Sequence, residues 1–342
     1  MRIALISPYS RGPMRGNIVT VQRIAHFLDQ AGVTTVTLAA DNFSINEMQG
    51  RLAEFKPDLI HGFHAHYCGV ISLKLAENMQ IPYVITITGS DLHDSLPRTH
   101  PDTVNAVEMA QAIVCFHASD AYRLTGFFTN LRGKVAVVPQ GVETLPVVEG
   151  VNFGFNRESF VLLLPAALRP VKRVELPIKW LSQLVLSNQM LQLVIAGGVI
   201  DSDYAESIRT MLSDAPFATW LGEVSHERMG NLYKRADLVL NCSRSESMPN
   251  SLMEAMALGR PVLAANISGN RSLIQNGKNG WLFDGEEDFR KLVLQIKENA
   301  FLREKMGRRA KEFIKTKFSP QLESKRYLSL YRKLVTAFSF TG

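Results

Sequence analysis

Twice along this chain, short apolar runs alternate with helical patterns, and that repetition narrows the possible folds more than any other feature. In the first half the runs fall at 2–8, 34–40, 58–63, 83–88, 112–117 and 135–139, with helical patterns near 17–30, 45–55, 69–79, 103–110 and 119–128. Parallel strands need a crossover between them and are buried on both faces, so unbroken apolar runs separated by helices predict a parallel sheet covered on both sides. A second series begins at Phe160, with runs at 159–165, 191–196, 219–221, 237–242, 261–265 and 281–283. Between the series, residues 143–156 hold Pro, Gly and Asn without periodicity and read as a linker. The expectation is an α/β protein with doubly wound parallel sheets in two domains, 1–150 and 151–320, and a helical tail at 321–342. A length of 342 residues exceeds a single core in any case. Open sheets of this kind bind ligands beyond their strand carboxyl ends, here expected to face a shared cleft.

The densest chemistry lies in Ser243 to Pro261, directly after the apolar run 238–240. Ser247 or Met248 is expected to cap a helix with Pro249 in its first turn, and Gly259 and Pro261 to end it. On that helix Leu252, Met253 and Met256 share an apolar side, while Asn250, Ser251, Glu254 and Ala257 form a small polar face. Glu246 sits on the preceding turn and Glu254 one turn into the helix, so the two carboxylates line one pocket from two heights. Between them the unpaired N–H groups of a helix start offer a seat for phosphate. Two acids flanking such a seat fit a nucleotide sugar, with ribose on one side of the diphosphate and a hexose on the other.

A cationic turn complements this. Arg169, Pro170, Val171, Lys172 and Arg173 follow the run 159–165, placing Arg169 for bidentate contact with a diphosphate and Lys172 as a point charge. Their charge would also stabilise a phosphate leaving group. Gly198 and Gly222, in the turns after the runs 191–196 and 219–221, join the donor-side candidates. Asp201 and Asp203 imitate a metal-binding pair, but a cap for the following helix is the expected role.

In the first half, the turn Ser7 to Gly16 lacks G-x-G-x-x-G, which argues against a dinucleotide oxidoreductase. Gly16 and Asn17 open the following helix and are candidates for contact with phosphate or sugar. His61, His64 and His66 resemble a metal cluster, but no carboxylate or cysteine accompanies them nearby in sequence. His64 and His66 are assigned instead to the cleft lining, as hydrogen-bond partners of sugar hydroxyls, and His61 to a packed or solvated position. Asp91, in the turn Thr88 to Asp91, either accepts from ligand hydroxyls or binds its own loop.

Composition removes several classes. Three cysteines, Cys68, Cys115 and Cys242, provide neither a disulfide framework nor a zinc spacing. No run is long enough for a membrane span, and the chain opens on a strand pattern rather than a secretory signal, so the expected location is the cytoplasm. The net charge of +6 is concentrated from Glu286 onward, where 14 Lys and Arg face 7 Asp and Glu in patterns of helix at 286–300, 301–318 and 321–335. Those basic helices offer a peripheral contact with the inner membrane face. No aromatic stacking surface accompanies them, which argues against nucleic acid.

Arg169 with Lys172, the spacing of Glu246 and Glu254, the run Glu254 to Val262 and the run Asn279 to Phe283 together resemble the group 1 (family 4, GT4) glycosyltransferases of GT-B architecture. Leu168 to Lys172, Gly89 to Asp91 and Pro139 to Gly141 most resemble the proteins of that group called glycosyltransferase 1 domain-containing. The resemblance implies two Rossmann-like domains with a C-terminal helix crossing back to the first. It implies a retaining, metal-independent transfer from a UDP- or GDP-sugar to an unidentified acceptor, whether glycan, lipid-linked or small molecule. Glu254 would hold the ribose, Glu246 the donor sugar, and Arg169 and Lys172 the diphosphate, helped by amides near Asn250 and Ser251. Gly16 would lie on the acceptor-facing loop. Two departures stand out: Thr88 occupies a turn where relatives carry His, and Arg169 sits two places later than the usual phosphate-turn arginine. A nucleotide-sugar epimerase and a non-catalytic sugar-nucleotide-binding protein remain alternatives on the same scaffold.

Overall fold

The computed structural model describes residues 1–10, 16–151, 153–156, 158–187 and 190–340. Contacts divide the chain into two compact units, Met1–Gly141 with Phe318–Gly342, and Val142–Lys317.

The first unit is built on six strands: β1 (Arg2–Ser7), β2 (Thr34–Ala39), β3 (Leu59–Phe63), β4 (Tyr83–Thr86), β5 (Ala112–Cys115) and β6 (Val135–Val137). They form one sheet in the order β2-β1-β3-β4-β5-β6, with every pair parallel. The order reverses between β1 and β3, which places a ligand crevice at their carboxyl ends. Its helices are α1 (Gly16–Gln30), α2 (Ile45–Phe55), α3 (Val70–Met79), α4 (Ser90–His93), α5 (Ser95–Thr99), α6 (Pro101–Met109) and α7 (Ala118–Phe127). The capping box of Ser44 and Glu47 starts α2, satisfying two orphan donors at once. A π-turn, Ala65–Gly69, precedes α3, and neither it nor the short α4 and α5 has a signal in the hydrophobic pattern.

The second unit repeats the scheme with β7 (Phe160–Pro165), β8 (Leu191–Ala196), β9 (Ala218–Trp220), β10 (Leu238–Asn241), β11 (Val262–Ala265) and β12 (Trp281–Phe283). The all-parallel order β12-β11-β10-β7-β8-β9 has its reversal between β7 and β10. Helices α8 (Glu175–Ser187), α9 (Ser202–Ser213), α10 (His226–Arg235), α11 (Asn250–Ala257), α12 (Ser268–Arg271), α13 (Glu286–Glu298) and α14 (Ala300–Lys317) surround it. Asp201 caps α9 by accepting from the Tyr204 N–H, so it has the structural role its position implied. The aperiodic segment read as a linker is anchored at one point: Asn231 on α10 exchanges two hydrogen bonds with the Val148 backbone, at 3.0 and 2.7 Å.

The last helix, α15 (Pro320–Ser339), belongs to the first unit and packs along α1. Tyr327 and Tyr331 are fully buried among Ile3, Leu5, Phe63 and Val114. Arg23 on α1 makes a two-pronged ion pair with Glu323, both buried, at 2.8 and 3.0 Å. Two Rossmann-like parallel-sheet units with a C-terminal helix returned to the first are the GT-B architecture that the resemblance implied. All three cysteines are buried, and burial raises each thiol above its ordinary value, Cys242 to about 12, which makes them packing residues.

Candidate active site

The second unit concentrates its polar chemistry where topology predicts, in the turns leaving β7 and β10 on either side of the strand reversal. After β7 the chain reaches Arg169 in extended conformation, makes one 3-10 turn over Pro170–Lys172, and passes through Arg173 at φ 49° into α8. The β8 turn supports it: the Leu168 N–H donates to Gly198 O at 2.8 Å, and the Gly197 N–H to Gly222 O at 2.8 Å. A Cβ on Gly197 would stand 2.1 Å from Ala166 O, so only glycine allows the turns to approach this closely. Gly198 and Gly222 thus hold the base of the cationic turn through their carbonyls.

The turn after β10 is laced to the same segment. The Arg244 N–H donates to Val171 O at 2.9 Å, and the Arg173 guanidinium donates to Cys242 O at 2.7 Å and Ser243 O at 3.2 Å. Lys172 Nζ then reaches Glu246 Oε1 at 2.5 Å, joined by Ser243 Oγ at 2.6 Å and Asn241 Nδ2 at 3.4 Å. Asn270 from α12 braces Asn241, donating to its Oδ1 at 3.2 Å. Gly269 admits the Glu246 backbone, whose oxygen would lie 2.1 Å from a Cβ there. Burial pushes the Glu246 carboxyl upward, but the Lys172 charge and hydrogen bond, the Ser243 hydroxyl and the Arg169 charge outweigh it and hold the group below the ordinary range. All three donors converge on Oε1, which leaves Oε2 as the acceptor available to a ligand. Lys172 retains two N–H donors beyond its bond to Glu246, and the Arg169 guanidinium makes no hydrogen bond among the described residues.

Helix α11 departs from expectation at its start and along its length. Pro249, at φ −74° and ψ 113°, is the N-cap residue rather than part of the first turn, and no side chain caps the helix. Ser247 does not fulfil the expected capping role; its Oγ is buried without a hydrogen-bond partner. The fixed φ of proline suits the extended cap position, and a helix start has no intrahelical acceptors for its first N–H groups, here including Ser251 and Leu252. The polar face is half-buried at Asn250 and Ser251 and buried beyond them, because Leu252 through Ala257 are all buried, Glu254 included at 7% exposure. The Glu254 carboxylate is held from α10, with His226 Nε2 at 3.0 Å from Oε1 and Tyr233 OH donating to Oε2 at 2.8 Å. Glu246 and Glu254 therefore have separate partner sets on one β10–α11 connection. Sequence reasoning placed Arg173 in the cationic turn without its backbone contacts, and gave no role to Ser243, Asn241, His226 and Tyr233. Only the last pair left a trace, seven residues apart and so two turns along one helix face.

In the first unit, Gly16 begins α1 and Asn17 Nδ2 reaches Thr88 Oγ1 at 3.4 Å, while residues 11–15 of the same turn lie outside the described residues. His64 closes β3 at φ 85°, a conformation that side chains rarely adopt, with Nδ1 accepting from the Tyr67 N–H and Nε2 2.9 Å from Ser90 Oγ. His66 pairs with Thr103 Oγ1 at 2.8 Å. His61 is a packing residue, fully buried with its ring nitrogens 2.6 Å from Tyr331 OH and 2.6 Å from Thr86 Oγ1. Asp91 is not available to a ligand in the way the cleft reading proposed. Its two oxygens accept from the backbone N–H groups of Ala65, Thr88 and Gly89 at 2.8–3.2 Å, and the side chain is buried. Among the described residues, no group of three His, Cys, Asp or Glu is arranged to hold a metal ion. Among the described residues, no helix is long and apolar enough to cross a membrane. The basic residues of the tail are divided, α14 lying in the second unit and α15 in the first.

Two sequence families match in tandem: glycosyl transferases group 1 over residues 151–313 and glycosyl transferase 4-like over residues 16–120. Glycosyltransferase 1 domain-containing protein 1 of Xenopus tropicalis is 24% identical over 338 residues, covering 93% of this chain and 94% of that protein. The UDP-Gal:alpha-D-GlcNAc-diphosphoundecaprenol alpha-1,3-galactosyltransferase of Escherichia coli is 22% identical over 267 residues, 73% of this chain and 68% of that one. Among solved structures, sucrose-phosphate synthase from Thermosynechococcus elongatus superposes with a TM-score of 0.85 at 17% identity, covering 98% of this chain and 99% of the other. Anabaena HepE in complex with UDP and glucose gives 0.80 at 15% identity, covering 98% and 100%.

Proposed function

We propose that this chain, a glycosyltransferase of GT-B fold related to the group 1 and 4-like transferases, moves a hexosyl group from a UDP- or GDP-sugar to an acceptor with retention at the anomeric carbon. One observation carries the reading: at the strand reversal of the second unit, Lys172 is bonded to the ionised Glu246, the Arg169 charge acts on the same carboxylate, and a helix start without a side-chain cap follows. Arg169 and the remaining Lys172 donors bind the diphosphate, and the N–H groups of Asn250 and Ser251 add a partial positive charge. Glu246 accepts from a donor-sugar hydroxyl through Oε2. Its bond to Lys172 couples sugar position to phosphate position. Glu254 accepts from the ribose hydroxyls.

The bond from C1 to the phosphate oxygen breaks, and its electron pair leaves with the nucleoside diphosphate. The acceptor oxygen forms the new bond to C1 on the same face, and its proton passes to the departing phosphate. Arg169, Lys172 and the helix start neutralise the charge developing there, so these groups supply the work a bound cation would otherwise do. Glu246 stabilises the positive charge on the sugar without becoming a covalent partner. Gly16, Asn17, His64 and His66 are assigned to the acceptor side, and the exposed basic residues of α14 to a peripheral contact with anionic lipid in the cytoplasm. The HepE complex, which contains UDP and glucose, supports the donor class.

The test is a thermal-shift and calorimetric comparison with UDP, GDP and their sugars. Glu254→Ala weakens binding of the bare nucleotide about tenfold or more, while Glu246→Gln lowers turnover with little change in nucleotide affinity. Variants that bind UDP and GDP like the wild type would contradict the assignment, as would activity abolished by EDTA. Conversion of the donor to another free sugar nucleotide, without acceptor, would favour an epimerase instead.

A further inference from the structure

The transfer reading above gives no part to the two side chains that grip Glu254. His226 opens α10 and Tyr233 follows two turns later on the same face, their polar atoms 3.0 and 2.8 Å from the two carboxylate oxygens. An ionised carboxylate offers about four acceptor sites, two per oxygen, and accepts only. The imidazole must therefore donate from Nε2. With one site filled on each oxygen, one remains on each, and the two lie side by side on the same group. Burial, and then the Glu254 charge, raise the Tyr233 phenol well above its ordinary value, so it stays a donor. Exposure rises across the trio, from the fully buried Tyr233 through the Glu254 side chain at 9% to the His226 side chain at 35%, so a ligand approaches the open sites beside the imidazole.

We infer that His226 and Tyr233 are positioning residues that set the Glu254 carboxylate as a clamp for two neighbouring hydroxyls, so that the enzyme distinguishes a ribonucleotide from its 2′-deoxy counterpart. This rests on the nucleotide-binding reading of Glu254 and adds the residues that give it selectivity. A carboxylate free to rotate accepts one hydroxyl as readily as two. One held at both oxygens presents a fixed pair of sites, and a ligand lacking one hydroxyl leaves a desolvated acceptor unmatched. His226 is the partner that a mutation can remove without opening the core, because it is the exposed member of the trio.

The experiment measures dissociation constants of UDP and 2′-deoxy-UDP, and of GDP and 2′-deoxy-GDP, by calorimetry on the full chain. Wild type is compared with His226→Ala, His226→Gln and Tyr233→Phe, with melting curves as a check on folding. Wild type favours the ribose form by about tenfold, the value of one well-made hydrogen bond. His226→Ala weakens the ribonucleotide by a comparable factor but leaves the deoxy form within about twofold, so the preference collapses. His226→Gln, whose amide can donate the same bond, restores most of the preference, and Tyr233→Phe acts in the direction of His226→Ala. Equal loss of both ligands in His226→Ala, or an unchanged ratio, overturns the inference. A wild type that binds UDP or GDP without preferring ribose overturns it too, while leaving the nucleotide reading intact. Binding of neither nucleotide overturns both.

Discussion

Replacing Lys172 with methionine keeps the side-chain length and removes the charge that faces Glu246, which makes it the most informative single change in the second unit. The pair is shielded but not sealed, with side chains 17% and 13% exposed and a separation of 2.5 Å. Exposed pairs contribute up to about 1 kcal/mol, whereas removing one partner of a fully buried pair costs about 3–5 kcal/mol. This pair falls between, and Ser243 and Arg169 still stabilise the carboxylate, so a loss of about 2 kcal/mol is expected. The sign with pH follows from the Glu246 carboxyl being held below its ordinary range. Its contribution is present above the unfolded value, near 4.3, and disappears as the pH falls through the lower folded value. The difference between wild type and Lys172→Met is therefore constant from neutral pH down to about 5 and shrinks in acid. Urea unfolding followed by tryptophan fluorescence suits the measurement, because Trp180, Trp220 and Trp281 are the only tryptophans and all lie in the second unit. A double-mutant cycle with Glu246→Gln isolates the pair. Additivity within about 0.5 kcal/mol, or a difference that persists unchanged in acid, would refute the reasoning.

Two further changes test separate parts of the molecule. Arg173→Lys keeps the charge but cannot span Cys242 O and Ser243 O, so the Glu246 turn loosens and the donor KM rises several-fold, with about 1 kcal/mol of stability lost; a wild-type donor KM would count against the lacing. His61, whose burial lowers its imidazole from 6.5 to about 3, is neutral in the fold and takes up a proton on unfolding. The first unit should thus lose about 1.4 kcal/mol per pH unit between about 6.5 and 3 through this group, a slope that His61→Gln removes and that denaturation curves across that range would detect.

The strands were legible because a parallel sheet buries both faces, and buried runs such as Phe160 to Leu164 leave an unbroken apolar signature. The acidic pair and the cationic turn were legible because charges at strand ends have few purposes. The rest turned on contacts that no local pattern encodes. Asp91 looked open to ligands until the fold folded three backbone N–H groups around it. Glu254 looked like one member of a polar face, yet helix α11 is buried nearly all round and its partners come from α10, over twenty residues away in sequence. Pro249 was placed one position too deep because a proline suits both the cap and the first turn. Residues 143–156 gave no sign of their anchor, the Asn231 side chain, because only tertiary structure brings it alongside Val148.

Helix α15 completes a hydrophobic cluster whose other buried members lie far back in the chain, between Ile3 and Val138. As the chain leaves the ribosome, the second sheet has all its strands before the first has its last helix. The earlier half must therefore wait with Ile3, Leu5, Phe63 and Val114 incompletely covered. The lesion from a premature stop just after Lys317 would appear at the opposite end of the sequence from the missing residues.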